Sequence, residues 1–102
     1  MKKYNVRLAD TFMWDMIDIT LYILEKTGSH DVSRRFYNEV LSAIENRSYG
    51  ADSYESYYPY PGSPEYRRLY FGHYTIFYVI DEDYLDVRRI LWSGVEPSKN
   101  CR

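Results

Sequence analysis

The chain of 102 residues is long enough for one hydrophobic core and too short for two, so a single domain over 1–102 is expected. A hydrophobic share of 45% with 19% aromatics excludes a disordered chain, and a net charge of −2 excludes a broadly basic, sequence-indifferent nucleic-acid binder while leaving room for a local cationic site. No run approaches the ~20 apolar residues that span a bilayer, the Met-Lys-Lys start lacks an apolar signal core, and one cysteine, Cys101, permits no internal disulfide, so a cytoplasmic setting away from membranes is expected.

In chain order, Tyr4, Val6 and Leu8 alternate with polar residues, as in a short strand with one face on a core. Asp10 offers a helix N-cap, and 11–26 carries Met13, Ile17, Leu21 and Leu24 on one helical face, widened by Phe12, Met16, Ile19 and Ile23. Lys26 followed by Gly28 marks that helix's end. Ser29 or Asp31 caps a second helix running to Arg47, with Phe36, Val40 and Ile44 as its stripe, Tyr37 and Leu41 beside them, and Gly50 as its stop. The short link predicts a helical hairpin packed on one sheet face. The segment 51–65 holds four tyrosines and three prolines, has neither helical nor strand period, and reads as a functional or mobile loop. From 94 to 102 the chain is polar, and a flexible tail is expected.

Between these lies 66–92, YRRLYFGHYTIFYVIDEDYLDVRRILW, whose aromatic and β-branched runs are broken by Phe71-Gly72-His73 and Asp81-Glu82-Asp83. Such residues suit a pleated, half-buried surface, and the breaks suit turns. A three-stranded antiparallel meander is predicted, with strands at 66–71, 74–80 and 84–92. The middle strand is apolar on both pleat faces and should be the most covered. The predicted class is α+β, in the order β-α-α-β-β-β.

The chemistry-bearing residues sit on that meander. With Leu69 and Phe71 facing the core, alternation puts Arg68 on the open face beside Tyr66 and Tyr70, and leaves Arg67 for a catalytic role or for pairing with a helix carboxylate. The same rule groups Arg89 with Leu85, Val87 and Leu91, where a structural salt bridge is the alternative to catalysis, and Arg88 with Tyr84, Ile90 and Trp92. Tyr66 and Tyr70 offer rings for stacking on bases, His73 lies in a turn, and Arg88 adds a cation. Tyr57 and Tyr58, in the proline-rich loop, are candidate partner contacts. The acidic turn at Asp81-Glu82-Asp83 has no His or Cys ligand set nearby, so no metal site is expected.

The order of elements, with YRRLYFGHYTIFYVID and VRRILW, resembles the RelE/ParE superfamily of bacterial type II toxins, whose segments read R-x-L … Y-x-I-x-Y-x-I and R-I-L-H. The resemblance implies a toxin with a small cognate antitoxin as partner, and it carries two chemistries. The leading one is interference with translation by metal-free, cofactor-free endoribonuclease action on mRNA in the ribosome, in which Arg67, Arg68 and Arg89 serve as the catalytic cations. The other is poisoning of DNA gyrase with no bond chemistry by the toxin; a third outcome is a homologue that only binds its antitoxin. Against the nuclease pattern, Arg68 stands at one lysine position, Tyr66 at the other, Thr75 at an expected arginine and Trp92 at the frequent histidine.

Overall fold

A computed structural model describes residues 1–99. Strand β1 (Asn5–Leu8) leads into helix α1 (Asp10–Thr27) and helix α2 (His30–Arg47). A 3-10 turn (Ala51–Ser53) and a two-residue strand β2 (Ser56–Tyr57) precede the meander β3 (Tyr66–Phe71), β4 (Tyr74–Asp81) and β5 (Tyr84–Trp92). The architecture is the expected α+β, with one addition. The sheet has five strands in the order β1-β5-β4-β3-β2, all antiparallel except the β1–β5 pair that the helical crossover creates. Among the described residues no helix is long and apolar enough to cross a membrane.

β2 sits inside the segment expected to be strand-free. It is an edge, where no ladder partner is needed on its outer side, so prolines just beyond it are tolerated. Gly50 explains the reversal before it. The residue has φ 67, its amide hydrogen-bonds the Lys2 carbonyl (2.7 Å), and an added Cβ would meet Met1 Sδ at 2.8 Å. The second helix therefore ends at Arg47, ahead of Gly50.

The helices cover one sheet face. Phe12, Met16, Val40 and Ile44 pack there on Ile76, Tyr78, Leu85, Val87 and Ile90. Ser29 caps α2 by accepting the Val32 amide (3.2 Å), and Gly28 closes α1 in the left-handed conformation, both as read from sequence. Asp10 is not a cap: it is the first helical residue of α1, Ala9 holds the N-cap position, and no side chain caps there. The stripe on α1 also divides differently. Phe12 and Met16 are buried, while Ile17 and Leu21 are 53% and 58% exposed, with Trp14 and Tyr22 exposed beside them.

Tyr78 ties the sheet to the helix ends. Its buried hydroxyl donates to the Ala51 carbonyl (2.9 Å) and accepts from Arg47 (3.1 Å). Burial raises this phenol above its ordinary range, with Arg47 opposing. A phenol whose folded pKa lies above its unfolded value adds stability that is present below the unfolded pKa and lost as pH rises past it. Unfolding free energy should thus fall above pH ~10, by up to ~1.4 kcal/mol per pH unit for this group. Urea titrations at neutral and alkaline pH check this, and Tyr78→Phe should lessen the slope.

Candidate functional site

The open face of the sheet is built by cross-strand pairing. Opposed residues share a face, so Arg68, Phe77 and Arg89 form one row, and Tyr66, Val79 and Asp86 another. The grouping of Arg89 with Leu85 and Val87 does not hold. Phe77 pairs with Arg89 and Tyr78 with Val87, leaving Arg88 as an extra residue, so a β-bulge resets the alternation. Leu85 and Val87 face the helices, while Arg89 and Leu91 lie on the opposite side, and Arg88 is not grouped with Ile90.

Arg89 then reaches round the sheet edge. β1 ends opposite Val87, so the next stretch of β5 would be bare, and α1 fills the gap. Asp15 accepts two hydrogen bonds from Arg89 (2.7 and 2.9 Å) and a third from the Ile90 amide (3.1 Å), while Thr11 donates to the Arg88 carbonyl (2.7 Å). Both Asp15 and Arg89 are buried. At the other edge, Arg47 caps the Arg68 carbonyl (2.9 Å) where β2 has stopped, with its guanidinium 3.5 Å from the Tyr54 ring centroid.

The other arginines of the sheet are also engaged. Arg88 pairs with Asp86 (2.8 Å), and Arg7 reaches Asp81 (2.9 Å) and Asp86 (3.5 Å). Arg68 pairs with Glu96 (3.0 Å) and lies 3.7 Å over the Tyr57 ring. Arg67 faces the helices across from Tyr78, and it donates to the Tyr54 carbonyl (2.8 Å) instead of to a helix carboxylate. Arg47, Arg68, Tyr54, Glu55 and Tyr70 line an open cleft of about 370 Å³ at the β3 edge.

Of the predicted stacking rings, Tyr70 is 67% exposed, but Tyr66 is buried edge-on to Phe77 (6.3 Å) and presents no face. His73 stacks on Trp92 (5.5 Å) at the hairpin tip, beyond the end of β3, and ~13 Å along the strand direction from Arg68. The expected loop pair also separates. Tyr58 is 65% exposed, whereas Tyr57 packs against Tyr66, Phe77 and Val79 and donates its hydroxyl to Glu96. Burial, and then Glu96, push the Tyr57 phenol well above its usual range. Tyr58→Ser should change stability by under ~0.5 kcal/mol. Tyr57→Ser should cost about 1–2 kcal/mol through lost apolar contact, as denaturant unfolding would show.

Glu96 belongs to the segment expected to be a flexible tail. Its carboxylate accepts from Tyr57 and Arg68, and Pro97 is buried. Cys101 and the last part of that predicted tail lie outside the described residues. Asp15, Arg47 and Glu96 were not legible as site residues, because each reads alone as an ordinary charge on a helix or tail.

The family model described as the ParE toxin of the type II toxin–antitoxin system parDE matches residues 6–93, from β1 through β5. The chain belongs to the ParE toxin family. No curated protein matches it. Membership of this ParE family implies an antitoxin as the partner of this toxin.

Proposed function

We propose that this ParE-family toxin stops growth by binding DNA gyrase in the cytoplasm, as one toxin domain, and makes or breaks no bond itself. The observation that carries this reading is the state of the open-face arginines: Arg7, Arg68, Arg88 and Arg89 each meet a carboxylate. Metal-free RNA cleavage needs a cation on the phosphate and a group that moves the 2′-hydroxyl proton. Here the nearest phenol, Tyr57, is held protonated, and His73 is stacked away at the hairpin tip. In the proposal Arg89 is a structural cation, since a buried guanidinium bonded twice to one carboxylate has little left to offer a phosphate. The exposed apolar side chains Trp14, Ile17, Leu21, Tyr22 and Trp92 suit a binding protein, because runs of exposed large apolar groups mark interaction surfaces.

One observation favours the second reading, ribosome-dependent mRNA cleavage. The cleft at the β3 edge sets a carboxylate, Glu55, among Arg47, Arg68 and two tyrosines, which are the residue types that such chemistry uses. In that reading Arg47 and Arg68, the cations that line the cleft, are the working ones and Tyr70 stacks on a base, while Arg67 on the helix face takes no part. Gyrase supercoiling of relaxed plasmid tests the first. Purified toxin should block supercoiling in proportion to its concentration and leave cleaved plasmid bound to gyrase. Unimpaired supercoiling at a molar excess of toxin would refute it.

A further inference from the structure

Helix α1 is apolar on the side that faces away from the sheet, where a surface helix ordinarily carries polar residues. Trp14, Ile17, Leu21 and Tyr22 are 48%, 53%, 58% and 52% exposed. Trp14, Ile17 and Leu21 recur at intervals of four and three, the spacing by which helices pack side by side at a shallow angle, and Tyr22 flanks them. Tyr22 also lines an apolar cavity of about 390 Å³ at the tip of the β3–β4 hairpin, with Phe36, Phe71, Tyr74 and Trp92. The two ends of this band carry opposite charges. Asp10 lies in the first turn, four residues before Trp14, and Lys26 in the last, four residues after Tyr22; both are exposed.

We propose that this band is the interface of a toxin homodimer, in which two copies of α1 pack antiparallel about a two-fold axis at Asp18. The spacing chooses a second copy over another protein, because a two-fold interface must complement itself. Trp14 and Tyr22 are each four residues from Asp18, and Asp10 and Lys26 are each eight. Rotation about the axis therefore sets Trp14 against Tyr22 of the second copy, at the mouth of its apolar cavity, and Asp10 against its Lys26. Ring meets ring, and acid meets base at both ends. Antiparallel packing also brings the positive end of each helix beside the negative end of the other. The surface of an unrelated partner has no reason to mirror these spacings.

The area sets the strength. Four half-exposed side chains bury roughly 500 Å² per copy and about 1,000 Å² in all, the low end of specific interfaces, which fits a Kd on the order of 10 μM. Asp18 is exposed and approaches its counterpart at the axis, and that like-charge contact holds the affinity to this modest value. The inference goes beyond the gyrase reading and does not depend on it. It makes the free toxin a reversible store: the dimer covers the apolar side chains of α1, and dilution exposes them.

Sedimentation velocity of the purified full-length toxin alone tests this. Neither gyrase nor DNA is present, so this test and the supercoiling test fail separately. The average mass should rise from monomer towards dimer as the concentration passes ~10 μM. Leu21→Ser, in the middle of the band, should weaken association by about tenfold or more. Asp10→Lys and Lys26→Asp, each alone, put like charges at both ends of the interface and should each weaken it about tenfold. The two changes in one chain should restore it to within about threefold, since both pairs are then reversed. An equimolar mixture of the two single variants should associate more tightly than either alone, because only the mixed pair matches every charge. All these positions are exposed, so each variant should keep the fold. A toxin that stays monomeric throughout, as it would if this face served a different protein, would overturn the proposal. So would a double variant as weak as the single ones, or a mixture no tighter than its components, because either result removes the antiparallel pairing.

Discussion

Asp15→Ala should destabilise the toxin by about 3–5 kcal/mol, because it leaves the Arg89 guanidinium buried without its counter-charge. Three hydrogen bonds end on that one carboxylate: two from Arg89 and one from the Ile90 amide at the bare edge of β5. Arg89→Ala should cost a similar amount, now with the carboxylate stranded. Replacing both at once, Asp15→Leu with Arg89→Met, should recover most of the loss, since the cost of a broken buried pair lies in the uncompensated charge. Urea unfolding at neutral pH reads all three variants as shifts in midpoint at constant slope. A fully stable Arg89→Ala chain would mean the pair is not structural, and Arg89 would return as a candidate for chemistry.

Phe12→Ala should cost about 3–5 kcal/mol, the cavity term for a large core ring, whereas Leu21→Ser should move stability by under ~0.5 kcal/mol. Phe12 is fully buried against the sheet, and Leu21 is 58% exposed. The contrast tests which side of α1 faces the core. It also marks where sequence reading ran short. Helix α1 is apolar nearly all round, so the sequence centred the face on Met13, Ile17, Leu21 and Leu24 with Phe12, Met16, Ile19 and Ile23 at its flank, whereas packing against the sheet centres it on Phe12 and Met16.

The strands were more legible. A continuous apolar run such as Ile76–Ile80 suits only a central strand, and Gly72 and the acidic turn set its ends. The bulge at Arg88 was not legible, because Val87-Arg88-Arg89-Ile90 reads as ordinary strand, and one extra residue moves Arg89 away from the face of Leu85 and Val87 while Arg88 still meets Asp86. Nor were the partners of the candidate cations: Asp15 lies 74 residues from Arg89, and Glu96 lies 28 from Arg68. Local pattern carries no signal for pairings over such separations. The residue types of the site, and a salt bridge as one role for Arg89, could therefore be read in advance, but which carboxylates engage these cations could not.

That engagement is the centre of the account, and primer extension on mRNA from ribosomes incubated with purified toxin tests it most directly, with gyrase supercoiling run from the same preparation. The account predicts no toxin-dependent cuts and a block of supercoiling. Site-specific cuts that vanish in Arg68→Ala, with supercoiling untouched, would contradict it.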